Sequence, residues 1–145
     1  MRVGDAMTIE VYVAHPNQSL REVAELMAGL DVGALPVEEK GRLVGMVTDR
    51  DIAVRGVAAN KAPSTRVREV MSRGVKYCYE DEKIDHVVHN MSEIQVRRLP
   101  VVDRDKHLVG IISLADIAIK RGSDAAGEAV AGISQPKKGE PGEPA

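Results

Sequence analysis

Gly45-Met46-Val47-Thr48-Asp49-Arg50-Asp51 and Gly110-Ile111-Ile112-Ser113-Leu114-Ala115-Asp116 follow one pattern: glycine, two apolar residues, a hydroxyl, two variable residues, aspartate. The likeness extends outward from both stretches. At an offset of 65 residues, Leu43-Val44 matches Leu108-Val109, and Ile52-Ala53 matches Ile117-Ala118. Upstream the offset becomes 64, pairing Leu35-Pro36-Val37 with Leu99-Pro100-Val101, Met27 with Met91, and Met7 with Met71. The extra residue falls between Val37 and Leu43, where Glu38 to Arg42 reads as a turn. Two unrelated apolar segments would not keep glycine, proline, hydroxyl and aspartate in register. The chain is a duplication.

Each copy reads as strand, helix, strand, strand, helix, an α/β pattern in two pseudo-symmetric repeats packed into one module. Ser19 with Glu22 forms a capping box, and Leu20, Val23, Ala24, Met27 and Leu30 follow as one apolar stripe at helical spacing. Ile84, Val87, Val88, Met91 and Ile94 repeat the stripe. A hairpin runs from Ala34 to Glu38, turns at Lys40-Gly41 and returns from Leu43 to Thr48. Its counterpart runs from Arg98 to Val102, turns over Asp103 to Lys106, and returns from His107 to Ser113. Short helices follow, about Arg50 to Val57 and Leu114 to Arg121. Ser64 or Thr65 is expected to cap another short helix ending near Met71. The repeats are placed at 1–57 and 65–122, with a linker at 58–64. A tail at 123–145, rich in Pro, Gly and charge from Ser134 onward, is expected to be mostly disordered.

Composition bounds the function. There is no Trp and no Phe, so the core must be aliphatic. A net charge of -2 argues against nucleic acid as partner, and no apolar run reaches the length of a membrane span. The single Cys78 excludes an internal disulfide or a multi-cysteine metal site. The N-terminus does not read as a signal peptide. The expected location is cytoplasmic.

The repeated hydroxyl-and-aspartate motif carries the chemistry. The hydroxyl ends a strand, and the aspartate falls in the first turn of the next helix. A helix N-terminus presents free amides suited to a phosphate, and Thr48 or Ser113 can donate to a phosphate oxygen as well. Asp51 and Asp116 would repel phosphate but can accept from a vicinal diol, so a ribose fits them. The same residues also read as capping boxes, Thr48 with Asp51 and Ser113 with Asp116. Both roles can hold at once.

The order GALPV, GRLVGMVTDRDIAVRG, VREVM, RRLPVV and HLVGIISLADI resembles the CBS domain family, specifically a stand-alone tandem CBS pair (Bateman module), over Arg2 to Arg121. That resemblance implies a regulatory module that binds AMP, ADP, ATP or S-adenosylmethionine in clefts between its repeats, with no catalysis and no bound cofactor. It implies one cleft built from Thr48, Arg50 and Asp51 facing Lys76, Tyr77, Arg97, Arg98, Leu99 and Pro100. The other would set Ser113 and Asp116 against Val11, Val13, Gly33, Ala34, Leu35 and Pro36. Leu114-Ala115 stands where the first motif has Asp49-Arg50, making the second cleft less polar. A homodimer and a separate effector protein are further implications. A module whose clefts have lost their ligand and serve protein interaction is the alternative.

Other candidates weigh less. Without the resemblance, Arg97 and Arg98 read as solvated charges; with it, Arg98 becomes a phosphate ligand candidate. His86 and His89 stand three apart on one helix, but no third ligand completes a metal set. Met27 and Met91 read as core filler, Pro36 and Pro100 as strand-entry residues, and Cys78 as a small buried residue without an activating neighbour. No nucleophile-base arrangement or phosphate-binding glycine loop is present, so an enzyme is not expected.

Overall fold

The computed structural model describes residues 1–121, 127 and 130–133. Their order is α1 (Val3–Ala6), α2 (Leu20–Leu30), β1 (Ala34–Glu39), β2 (Arg42–Thr48), a π-helix (Asp51–Val57), a 3-10 turn (Val67–Glu69), β3 (Cys78–Tyr79), α3 (Ile84–Ile94), β4 (Arg98–Val102), β5 (Leu108–Ser113) and α4 (Leu114–Arg121). The mixed helix and strand content agrees with the α/β reading. The chain divides into two compact units. The first holds Glu10–Tyr77 with Val102–Leu108; the second holds Met1–Ile9, Cys78–Val101 and the described residues from Val109 onward.

In the first unit, β1 and β2 pair antiparallel around Lys40 (φ 55°) and Gly41 (φ 79°). Two successive left-handed residues make the tight turn whose twist suits a hairpin. The register slips between Val37 and Glu38, opposing Val37 to Gly45 and Glu38 to Leu43, so Val44 is a bulge. Ala14 stands where a third strand would run, as a single parallel bridge to Val37. In the second unit Cys78, its match at offset 64, opens β3 in the sheet order β3-β4-β5.

Ser19 caps α2 as expected. The Glu22 amide donates to Ser19 Oγ at 3.0 Å, and the Ser19 amide donates to Glu22 Oε1 at 3.4 Å. The stripe is corrected at one position: Ala24 is exposed, and Leu26 packs against the core. Asp31 ends α2 and Gln95 ends α3, both left-handed. The expected capped helix before Met71 is also corrected. No side chain caps the 3-10 turn at Val67–Glu69. The backbone just before it is engaged elsewhere: the Leu20 amide donates to the Thr65 carbonyl, and the Val67 amide donates to the Gln18 carbonyl. Tertiary pairing has overridden the local capping signal. The π-helix shows five-residue bonds, from the Ala58 amide to the Ala53 carbonyl and from the Lys61 amide to the Gly56 carbonyl.

The two cores are aliphatic and follow the duplication. The first unit buries Leu20, Val23, Met27, Leu35, Val37 and Val47; the second buries Ile84, Val87, Met91, Leu99, Val101 and Ile112. The compact units nevertheless cut across the sequence boundaries at 1–57 and 65–122. Val3 and Ala6 belong to the second unit's core, while Val67, Val70 and Met71 belong to the first unit's. Each repeat's leading segment therefore packs on the other repeat's elements.

The motif glycines make room for these segments. Thr8 forms an antiparallel bridge with Ile111, and Ser72 forms one with Met46. A Cβ at Gly45 would lie 2.7 Å from the Ser72 carbonyl oxygen. One at Gly110 would lie 2.8 Å from the Thr8 carbonyl oxygen and 2.6 Å from Met7 Sδ. A backbone carbonyl cannot turn aside as a side chain can. Gly45→Ala is expected to cost about 1–3 kcal/mol of stability by overpacking, measured by urea unfolding. A loss below about 0.5 kcal/mol would show that the segment yields instead.

Of the tail, residues 127 and 130–133 are described and are helical. The Gly132 carbonyl accepts from Gln95 Nε2 at 3.2 Å, and a Cβ on Gly132 would lie 2.8 Å from Ser92 Cα. The disorder expected over 123–145 falls, these five residues apart, outside the described residues.

Candidate ligand-binding site

Each unit presents one hydroxyl-and-aspartate motif at the junction of a strand and a helix. In the first unit the Thr48 amide donates to Asp51 Oδ2, and the Asp51 amide donates to Thr48 Oγ1, both at 3.0 Å. In the second, the Ser113 amide donates to Asp116 Oδ2 at 3.0 Å, and the Asp116 amide donates to Ser113 Oγ at 3.2 Å. The Ser113 hydroxyl also donates to Asp116 Oδ2, at 3.0 Å. Both motifs are reciprocal capping boxes, so the capping reading holds at both.

Capping occupies one carboxylate oxygen of each pair. A carboxylate has about four acceptor sites, so Oδ1 keeps its capacity to accept. The surroundings of that second oxygen differ. Asp51 Oδ1 lies 3.8 Å from Arg55 Nη1, one helical turn on. Asp116 Oδ1 accepts from the Thr8 hydroxyl at 3.2 Å. Neither Arg55 nor Thr8 is among the residues expected from sequence. Arg55 follows Asp51 at helical spacing and was within reach of that reading; Thr8 is 108 residues from Asp116 and carries no local signal.

The remaining candidates divide between the units. With Thr48, Arg50 and Asp51 the first unit holds Val11, Val13, Gly33, Ala34, Leu35, Pro36, Lys76 and Tyr77; with Ser113 and Asp116 the second holds Arg97, Arg98, Leu99 and Pro100. Gly33 and Ala34 adjoin their own repeat's motif: Ala34 pairs with Thr48, and the Asp49 amide donates to the Gly33 carbonyl at 2.9 Å. The Leu114 amide repeats that bond to the Arg97 carbonyl at 3.1 Å. Arg50, Lys76, Arg97 and Arg98 are exposed. Leu35 and Leu99 are core residues, and Pro36 and Pro100 are buried beside them. Lys106 Nζ sits 5.2 Å from the centre of the half-buried Tyr77 ring, a cation-π distance.

The histidines do not converge. His86 Nδ1 pairs with Glu82 Oε2 at 2.9 Å, and His89 Nε2 faces Glu93 Oε1 at 3.8 Å. Asp103, Asp105 and His107 do cluster, but Asp103 Oδ1 accepts from the amides of both Asp105 and His107 at 2.9 Å. The His107 amide above all holds the Asp103 carboxyl below its usual range. This cluster locks the turn between β4 and β5. Cys78 is buried, and desolvation pushes its thiol up to about 12, with Glu82 adding to the shift. Such a thiol stays protonated at neutral pH and is no nucleophile.

Paired α/β repeats, each closing a strand onto a helix with a hydroxyl-aspartate box, define the class. The sequence profile of the CBS domain matches residues 3–56 and 67–121, and the chain belongs to the CBS domain family as a tandem pair. It is 43% identical over 133 residues to the CBS domain-containing protein YhcV of Bacillus subtilis, covering 91% of this chain and 94% of that one. Among solved structures it resembles the CBS domain pair of protein MJ0100 in complex with 5′-methylthioadenosine and S-adenosyl-L-methionine. That match has a TM-score of 0.69 and 34% identity, over 86% of this chain and 98% of that one. It also resembles CBSX2 in complex with AMP, with a TM-score of 0.70 and 27% identity, over 81% and 93% of the two chains. No described helix is long and apolar enough to cross a membrane.

Proposed function

We propose that this CBS pair is a non-catalytic sensor of an adenosine-type ligand, with AMP, ADP or ATP favoured over S-adenosylmethionine. The observation that carries the reading is the division of labour within Asp51 and Asp116. In each, Oδ2 caps a helix while Oδ1 faces a side chain, Arg55 or Thr8, whose place a ribose hydroxyl can take. The family resemblance supplies the rest. Thr48 and Asp51 work with Lys76, Tyr77 and Arg97 to Pro100, and Ser113 and Asp116 work with Val11, Val13 and Gly33 to Pro36. The exposed cations Arg50, Arg97 and Arg98 favour phosphorylated ligands. AMP bound to CBSX2 supports that preference; the ligands of the MJ0100 pair support S-adenosylmethionine as the second reading.

A homodimer and a separate effector protein belong to the same reading. Val57 and Ile119 are 72% and 79% exposed, which leaves apolar surface for a second copy to cover.

The test is a thermal-shift series with AMP, ADP, ATP, S-adenosylmethionine and NAD. A ligand at a hundred times its Kd stabilises the folded state by about 2.7 kcal/mol, raising Tm by roughly 5–10 °C for a chain of this size. The adenine nucleotides are expected to give the larger shifts. No shift with any of the five at millimolar concentration would leave the ligand-free interaction module as the better reading.

A further inference from the structure

Asp51 and Asp116 occupy matching places in the two repeats, yet among the described residues only Asp116 has a side-chain bond to a distant segment. The Thr8 hydroxyl donates to Asp116 Oδ1 at 3.2 Å, and Thr8 is held there from both sides. Its amide donates to the Ile111 carbonyl at 2.8 Å, and the Ile111 amide donates back at 2.9 Å. Met7 beside it packs on the second unit's core, and Val3 and Ala6 are buried in that core. At the matching place in the first unit Asp51 Oδ1 meets Arg55 Nη1 at 3.8 Å, beyond hydrogen-bond distance.

We propose that Thr8 is a built-in competitor for the ribose-binding oxygen of Asp116. The proposal rests on the ribose role of the two aspartates. A diol approaching Asp116 Oδ1 must displace or share a hydroxyl already donating to it, whereas at Asp51 it meets an oxygen with a cation 3.8 Å away and, among the described residues, no donor within hydrogen-bond distance. The site at Asp116 therefore binds a given nucleoside more weakly. Its occupancy is also coupled to the segment Met1–Ile9, because the displaced hydroxyl belongs to that segment. The specificity-determining residue is thus outside the repeated motif.

The test uses the full chain carrying Asp51→Ala, so that only the Asp116 site is read, and titrates AMP and, in parallel, S-adenosylmethionine by calorimetry. Adding Thr8→Val, which keeps shape and removes the donor, is expected to tighten binding about three- to tenfold, the range of one net hydrogen bond. Thr8→Ser, which keeps the donor, is expected to leave affinity at the Asp51→Ala value. Unchanged or weaker binding in Thr8→Val would overturn the competitor role and show that Thr8 only orients Asp116. If a chain carrying both Asp51→Ala and Asp116→Ala bound as tightly as the unaltered one, the ribose reading itself would fall, and this proposal with it. Absence of binding of both probes to the unaltered chain would reject both.

Discussion

Replacing Asp51 by alanine is expected to weaken nucleotide binding at its site by at least tenfold while lowering stability by only about 0.5–2 kcal/mol. The two effects come from different oxygens. Oδ2 accepts the Thr48 amide and completes the helix cap, and loss of a capping carboxylate falls in that stability range. Oδ1 is the proposed acceptor for a ribose hydroxyl, and a hydrogen bond to a charged group contributes about 1.5–3 kcal/mol, or more than a factor of ten in affinity. Titration calorimetry with AMP and thermal unfolding on the same variant separate them. A variant that loses stability but binds AMP as before would reduce Asp51 to a capping residue. Asp116→Ala is expected to show the same stability loss with a smaller change in affinity, because its Oδ1 already holds Thr8.

The largest stability effect is expected from Ile112→Ala. Ile112 lies on β5 within the motif, is wholly buried, and packs in the core that also contains Val3, Ile84 and Val87. Truncating a buried isoleucine removes transfer free energy and leaves a cavity in a dense interior, together about 2–5 kcal/mol. For a chain of this length the loss corresponds to roughly 5–15 °C in Tm, read by differential scanning calorimetry. Val47, its match in the first unit and equally buried, has less to lose, so Val47→Ala should cost less. A drop under about 1 kcal/mol for Ile112→Ala would mean that neighbouring side chains refill the space.

What the sequence made legible was local or repeated. The hairpins, the Ser19-Glu22 cap and the stripes on α2 and α3 follow from turn chemistry and periodicity over a few residues. The hydroxyl-aspartate motif was legible for the same reason: its bonds span three positions and occur twice. The features that escaped depend on distant partners. Arg66 is extended and bridges Ser19 because Leu20 and Gln18 pair with the backbone on either side of it, at Thr65 and Val67, whatever Ser64 and Thr65 favour locally. Ala24 has the right spacing for the core but lies on the exposed side of the stripe. The exchange of leading segments had one trace, Met7 aligned with Met71, but no local rule says which core an apolar residue will join. The motif glycines were read as part of a strand-to-helix signature; their reason is the carbonyl of Thr8 or Ser72 passing beneath them.

That exchange bears on how such a chain can arise. One repeat alone would have elements needing a leading segment, and a leading segment without elements to cover. Two separate copies would satisfy each other by trading segments, at the cost of a concentration-dependent association. Joining them through one linker makes the trade intramolecular, at effective concentrations that can reach the millimolar range. The fused chain thus keeps a swapped dimer's wiring without its dilution limit.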